Sequence, residues 1–225
     1  VTTPDQLPVV GTRWFSEDVF ELQLERGRLP FVPGDCLALF AADGRVSRPY
    51  SIASGTQEDI LRFLIRRLPG GEVSPYLGAR RPGDTVRISP PFGWFRPGEH
   101  EGRRPYVFIA TGTGVAPFLC HLRSRPGARP AAFLYGVRQA ADAVEPAWLR
   151  AEAGVRLAVS REDAPGCHRG RVTDLLPELP LQPEMDYYVC GLDAMIDEVT
   201  EWLERKGISI TRIHRECFFN ASYTA

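Results

Sequence analysis

The hydrophobic pattern changes period once along this chain, and that change bounds the fold more tightly than any other feature. Between residues 7 and 89 apolar and polar side chains alternate in short runs at 19–24, 36–40, 50–53, 61–66 and 85–88. Runs of this length and spacing predict an antiparallel sandwich or small barrel. Pro33-Gly34-Asp35 and Pro82-Gly83-Asp84 mark turns, each leading into a strand. One short helix is expected at 74–77, after Gly70-Gly71. A polar, breaker-rich stretch from Arg96 to Arg104 follows. Beyond it, strands at 106–110, 132–135, 155–159 and 187–190 alternate with helices at 116–124 and 194–206. That alternation predicts a parallel sheet covered on both faces. The expected fold is two-domain: an antiparallel Greek-key β-barrel over 1–100, then an α/β doubly wound parallel-sheet domain over 101–225.

Composition fits this reading and removes other classes. With 225 residues, 44% of them hydrophobic, the chain can fill two modest cores. A formal net charge of -1 gives no general attraction to nucleic acid or to an anionic membrane. Lys206 is the single lysine, so arginine carries nearly all the positive charge. No apolar run approaches the ~20 residues that span a bilayer, and the expected address is cytoplasmic. Cys36, Cys120, Cys167, Cys190 and Cys217 are scattered, as are His100, His121, His168 and His214. Neither set has the spacing of a disulfide framework, a zinc site or an iron–sulfur ligand cluster, so no metal is expected.

Several short motifs carry chemistry. Arg48-Pro49-Tyr50-Ser51-Ile52-Ala53-Ser54 combines a guanidinium that can fork onto a phosphate, a ring that can stack on a planar heterocycle, and a hydroxyl. Gly71-Glu72-Val73-Ser74 opens the short helix, where backbone amides are free to meet an anion. Thr111-Gly112-Thr113-Gly114-Val115-Ala116-Pro117 joins a strand to a helix, the context in which a glycine loop meets a diphosphate. Its two glycines lack the spacing of the usual dinucleotide fingerprint, which argues against an ordinary dehydrogenase. Tyr135-Gly136-Val137-Arg138, Ser160-Arg161-Glu162, Gly170-Arg171, Tyr188-Val189-Cys190-Gly191 and Glu216-Cys217-Phe218 follow, most of them at strand ends.

In this order, with Pro33-Gly34-Asp35 ahead of them and Pro91-Phe92-Gly93 between the second and third, the motifs resemble those of the ferredoxin-NADP reductase family over nearly the whole chain. The resemblance implies an FAD-binding barrel and an NADP(H)-binding α/β domain. It implies that Arg48, Pro49, Tyr50, Ser51, Gly71, Val73 and Ser74 hold FAD, with Ser51 at flavin N5 and Phe218 covering the ring. The chain continues past Phe218, so Phe219 and Tyr223 are alternatives for that cover. Thr113, Gly114, Cys190 and Gly191 are implied at the nicotinamide nucleotide, and Ser160, Arg161 and Arg171 at an adenosine 2'-phosphate. Ser51, Cys190 and Glu216 would line the hydride transfer. FMN in place of FAD stays open, because no residue decides adenine binding.

The implied function is hydride transfer between NADP(H) and FAD, with single electrons passed to an acidic carrier such as ferredoxin or flavodoxin. Nine arginines between Arg62 and Arg104, against Glu72, Asp84, Glu99 and Glu101, suggest steering by charge. Two alternatives stand beside it. One is the reductase component of an oxygenase system whose iron–sulfur protein is a separate chain. The other is a flavin- or nucleotide-binding subunit of a larger redox complex.

Overall fold

The computed structural model describes residues 5–217, which form two compact units. The first consists of the chain up to Arg96 together with Ala116–Arg125. The second consists of Pro97–Val115 and the chain from Pro126 onward.

In the first unit, β1 (Gln6–Trp14), β2 (Val19–Glu25), β5 (Ile60–Arg66) and β6 (Thr85–Arg87) form an antiparallel sheet in the order β5-β2-β1-β6. Strands β3 (Cys36–Phe40) and β4 (Ser47–Ser51) form a separate antiparallel pair. Single bridges close the ring: Leu39 of β3 pairs with Ile88 just past β6, and Ile52 just past β4 pairs with Phe63 of β5. Strands β3, β4 and β5 are thus consecutive neighbours while β6 returns beside β3, a Greek-key arrangement. Alternate residues point inward, so Phe20, Leu22, Leu24, Leu37, Leu39, Phe63, Ile65 and Val86 share one buried core. Each such side chain contributes about 1.5–3 kcal/mol by leaving water.

Strand β1 is absent from the sequence-based expectation. Pro8 and Gly11 weaken its strand signal, and Gly11 sits where the register to β2 shifts. Strand β4 begins three residues earlier than expected. Helix α1 (Val73–Gly78) covers the expected 74–77. Helix α2 (Ala116–Ser124) packs in the first unit although it follows the first strand of the second. Cys120 enters the barrel core, Arg123 donates to the Ala53 carbonyl at 2.6 Å, and Ser124 Oγ accepts from the Thr56 amide at 2.9 Å. Contacts therefore divide the chain after Arg96, and no local pattern encodes where α2 docks.

The second unit is a six-stranded sheet. It comprises β7 (Tyr106–Thr111), β8 (Ala132–Val137), β9 (Arg156–Val159), β10 (His168–Arg169), β11 (Asp186–Gly191) and β12 (Ile213–Cys217). The order is β10-β9-β8-β7-β11-β12, with every pair parallel. Helices α3 (Pro146–Ala153) and α4 (Asp193–Arg205) belong to this unit. One face of the sheet packs Val107, Ile109, Leu134, Tyr187 and Val189 against Met195, Ile196, Val199 and Leu203 of α4. On the other, the rings of Tyr106, Phe108, Phe133 and Tyr188 meet tilted or edge-on.

Strand order reverses at β7: the chain runs outward through β8, β9 and β10, then returns to β11 on β7's other side. Such a switch point leaves a crevice at the carboxyl ends of the two strands, where open α/β sheets bind ligands. The sequence reading omits α3, β10 and β12. Strand β10 has two residues, and β12 reads Ile-His-Arg-Glu-Cys, too polar to show a buried period. No helix among the described residues is long and apolar enough to cross a membrane.

Candidate active site

The first cluster of site residues lies on the barrel. Strand β4 alternates, with Arg48 exposed, Tyr50 half-buried against the core cluster and Ser51 buried. Arg48 has no carboxylate partner among the described residues; it donates to the Ser47 carbonyl at 2.8 Å. Burial pushes the Tyr50 phenol up to about 12, against the downward pull of Arg48, so the ring is a neutral apolar face at any ordinary pH. Ser51 Oγ lies 3.4 Å from Cys36 Sγ on the neighbouring strand. An unpaired cation, a half-buried ring and a buried hydroxyl in one short segment suit the diphosphate, planar ring and ring nitrogen of FAD.

Gly71 and Ser74 shape the turn into α1. The Gly71 amide donates to the Leu68 carbonyl at 2.9 Å, and Ser74 Oγ accepts from the Leu68 amide at 3.0 Å. Val73 and Ser74 are both buried. With six residues, α1 adds little dipole of its own, so approach of backbone amides is what this turn offers. Pro49 is exposed between Arg48 and Tyr50, with no N–H to compete for a ligand.

The second cluster lies at the switch point. After β7 the chain makes a 3₁₀ turn over Gly112–Val115 before α2. Gly114 touches the end of β11: a Cβ there would come within 2.5 Å of the Cys190 carbonyl oxygen and 2.8 Å of Gly191 Cα. Gly191 has φ +146°, and a side chain there would collide with the Thr111 hydroxyl. That hydroxyl accepts from the Leu192 amide at 3.1 Å. Both glycines are therefore required for two loops to touch backbone to backbone. Thr113, between Gly112 and Gly114, is half-exposed beside them.

Register brings the next residues alongside. Cys190 pairs with Ala110 of β7 on one side and Glu216 of β12 on the other. Its buried thiol lies 3.8 Å from Glu216 Oε2. Thr111, Cys190 and Glu216 thus sit at the carboxyl ends of three adjacent strands. Phe218, expected to cover the flavin, lies outside the described residues, as do Phe219 and Tyr223.

Ser160 and Arg161 follow β9, and Arg171 follows β10 by two residues. The Gly170 amide donates to the Val159 carbonyl at 3.0 Å, which sets the two strand ends side by side. The backbones of Ser160 and Arg161 are fixed to Val137 and Arg138 at 3.1 and 2.9 Å. All three predicted phosphate ligands are exposed, and neither Arg161 nor Arg171 has an ion pair among the described residues. Glu162 turns aside, its carboxylate accepting from the Ala140 amide at 2.7 Å. Tyr135 is fully buried, so the Tyr135-Gly136 motif shapes the sheet end from within the core.

The sequence reading passed over two groups. Cys36 appeared only as a scattered cysteine, since its register beside Ser51 is set by the β3–β4 pairing. The Thr111 hydroxyl opened a recognised motif, but its bond to Leu192 spans 81 residues. The arginine-rich segment also changes meaning. Arg62 pairs with Glu21 and Glu58, Arg67 with Asp18, Arg80 with Asp84 and Arg96 with Asp35. The local excess of positive charge is correspondingly smaller than the residue count suggests.

Comparison with known proteins follows the same division. A family described as "Oxidoreductase FAD-binding domain" matches residues 11–96, and one described as "Oxidoreductase NAD-binding domain" matches residues 108–201. The toluate 1,2-dioxygenase electron transfer component of Pseudomonas putida is 30% identical over 95% of this chain and 67% of its own length. The ferredoxin--NAD(P)(+) reductase component of the naphthalene 1,2-dioxygenase/salicylate 5-hydroxylase systems of a Ralstonia species is 32% identical over 91% of this chain and 66% of its own. The chain spans about two thirds of the length of such relatives. Among solved structures, a cytochrome P450 reductase from Amycolatopsis superposes with a TM-score of 0.84 at 28% identity, over 98% of this chain and 72% of that one. A ferredoxin NADP+ reductase from Neisseria gonorrhoeae with bound FAD and NADP shares the fold, with a TM-score of 0.84 at 19% identity over 95% of this chain and 98% of that one.

Proposed function

This chain belongs to the ferredoxin-NADP reductase-like family of flavin oxidoreductases that draw electrons from NAD(P)H, and from that premise we propose that it is the reductase of an oxygenase-type system. The observation that carries this reading is the register at the switch point, which sets Cys190 and Glu216 beside the Gly114 loop. Relatives named as electron transfer components of dioxygenases favour the oxygenase role over a reductase serving free ferredoxin or flavodoxin.

FAD, when bound, supplies the ability to take two electrons as hydride and return them singly. The protein's residues bind and orient. Arg48 neutralises phosphate, Tyr50 backs the ring and Ser51 hydrogen-bonds its reactive nitrogen. The Gly114 and Gly191 loops admit the nicotinamide nucleotide to close backbone approach, with Thr113 at its side. Cys190 packs behind the nicotinamide while Glu216 orients it. These residues would act by positioning, so a small displacement of any of them would lower the rate.

For the nucleotide, exposed Ser160, Arg161 and Arg171, free of ion pairs among the described residues and with Glu162 turned aside, support NADPH over NADH. For the acceptor, an acidic carrier protein remains the reading, with charge contributing less than the arginine count implied. The free thiols suit a reducing compartment, the cytoplasm.

Purified protein should be yellow, bleach on anaerobic titration with NADPH, and turn over with ferricyanide. It should then reduce an iron–sulfur protein of an oxygenase system at a rate that falls with ionic strength. A folded protein that takes up no flavin would end this reading.

A further inference from the structure

Trp94 is 98% exposed on the turn that closes the barrel unit, and Phe92 and Val32, on the same pair of touching turns, are 48% and 49% exposed. Single exposed apolar residues are ordinary; three on adjoining turns make a patch. Its backbone is fixed. The Asp35 amide donates to the Val32 carbonyl at 3.0 Å, and the Val32 amide donates to the Asp35 carboxylate at 2.9 Å. The Arg96 guanidinium ties the second turn to the first, donating to the other Asp35 carboxylate oxygen at 2.9 Å, to the Gly93 carbonyl at 2.8 Å and to the Phe95 carbonyl at 3.1 Å. Gly93, at φ +146°, approaches Gly34 so closely that a Cβ would come within 2.9 Å of the Gly34 carbonyl oxygen. Phe95 turns inward and meets Phe118 of α2, ring centroids 5.9 Å apart. Trp94 is therefore held facing solvent between a pinned glycine and a buried phenylalanine.

The patch lies beside the flavin residues of the same unit. Phe92 and Cys36 exchange both backbone hydrogen bonds, at 2.7 and 3.0 Å, and Cys36 pairs on its other side with Ser51. Two strand spacings of about 4.8 Å each put the Phe92 backbone about 10 Å from that of Ser51. Phe40 shares the Cys36 face of β3, opposite the core residues Leu37 and Leu39. The Arg87 guanidinium stacks on the Phe40 ring, 4.9 Å from its centroid. Arg87 is exposed and has no carboxylate partner among the described residues. An apolar centre thus lies next to the flavin site, with an unneutralised cation about 13 Å away along β3.

We propose that Trp94, Phe92 and Val32 form the apolar centre of the surface on which the acidic iron–sulfur carrier docks, with Arg87 at its rim. The inference rests on the proposed function, which supplies the carrier. Three such side chains expose a few hundred Å², well below the roughly 800 Å² per partner of a stable complex. That is too little for a permanent dimer and suits the brief encounters of electron-transfer proteins. A tryptophan in a centre that excludes water carries a large share of binding energy, and a turn already fixed spares the cost of ordering a loop. A rim arginine steers an acidic partner and raises its association rate.

Reduction of a purified acidic [2Fe–2S] ferredoxin by the NADPH-reduced holoenzyme, followed by absorbance over a range of ferredoxin and salt concentrations, tests this. Trp94→Ser should raise the ferredoxin concentration for half-maximal rate about tenfold or more, and Trp94→Phe should recover most of the loss. FAD content and ferricyanide turnover should stay at the wild-type level, because so small an acceptor does not need the patch. The Trp94→Ser deficit should persist at high ionic strength, whereas that of Arg87→Ala should fade as salt screens it. Unchanged ferredoxin kinetics in Trp94→Ser would overturn the docking surface and leave the reductase reading standing. Loss of FAD or of ferricyanide turnover would assign Trp94 to the flavin site instead. A wild-type dimer in sedimentation, dissolved by Trp94→Ser, would give the patch to a second copy of this chain. Wild-type protein that reduces ferricyanide but not ferredoxin would remove the carrier, and the surface with it.

Discussion

Cys190 and Glu216 face each other across adjacent parallel strands, thiol sulfur 3.8 Å from a carboxylate oxygen, at the carboxyl end of the sheet beside the Gly114 loop. The thiol is buried and the carboxylate half-exposed, so the pair presents one polar group to a ligand and keeps the other as its backing. Glu216→Gln preserves volume and removes the charge. It should slow flavin reduction by NADPH about tenfold or more, since misplacing a reacting ring is costly, while FAD content stays at the wild-type level. Stopped-flow absorbance measures the first and the protein-to-flavin ratio the second; a variant that simply loses FAD would contradict the assignment.

Gly114 leaves no room for a methyl group, which would press on the Cys190 carbonyl at 2.5 Å. Gly114→Ala should push the two loops apart and raise the KM for NADPH about tenfold, with the visible spectrum unchanged. Steady-state kinetics with ferricyanide as acceptor decides this. An unchanged KM would mean that the loop contact does not shape the nucleotide site.

Arg161 is exposed, and in the proposed reading it bears on discrimination between the two nucleotides alone. Losing a charge-assisted bond to a 2'-phosphate costs about 1.5–3 kcal/mol. Arg161→Ala should therefore raise the KM for NADPH roughly ten- to a hundredfold and leave that for NADH nearly constant. Equal effects on the two nucleotides would remove the phosphate pocket from the mechanism.

Tyr50, assigned to the flavin by the proposed function, also bears on alkaline stability. Its folded phenol, pushed up to about 12 by burial, holds its proton more tightly than the unfolded group near 10. The resulting stability is fully present below pH 10 and is lost as pH rises from about 10 to 12, because only the unfolded chain ionises there. The size is on the order of 2 kcal/mol. In urea melts of flavin-free protein, Tyr50→Phe should flatten part of the decline over that window. Cys120, also pushed up to about 12 by burial, contributes in the same direction and remains in the variant.

Asp186 is a buried carboxylate at the opposite end of the sheet. One oxygen lies 3.0 Å from His100, and the other 3.4 Å from both Arg212 and His214. Asp186→Ala would take a buried acceptor away from Arg212 and both imidazoles and leave a cavity, and should cost about 1–3 kcal/mol. The readout is the denaturation midpoint, and the variant should keep its flavin spectrum in the folded state.

Much of this was legible in the residues. Period-two runs ending near Ser89, then buried runs interleaved with helices, are local properties, and they produced the barrel and the parallel sheet. Arg48, Tyr50 and Ser51 stand out as candidates because three chemically distinct groups fall within four positions of one strand. Strand β1 was hidden by Pro8 and Gly11, and β12 by its polar composition, although β12 carries Glu216.

The sequence by itself determined which stretches alternate, where the period changes, and which motifs occur in which order, since each follows from neighbouring residues and their backbone preferences. Only the tertiary structure decided that Cys36 meets Ser51, that Cys190 meets Glu216, that Gly114 must be bare against Cys190, and that α2 belongs with the barrel. Those facts depend on strand register and docking between segments far apart in the chain. A one-residue slip in either pairing would leave every local signal intact and separate the groups, which is why they had to be read from the fold.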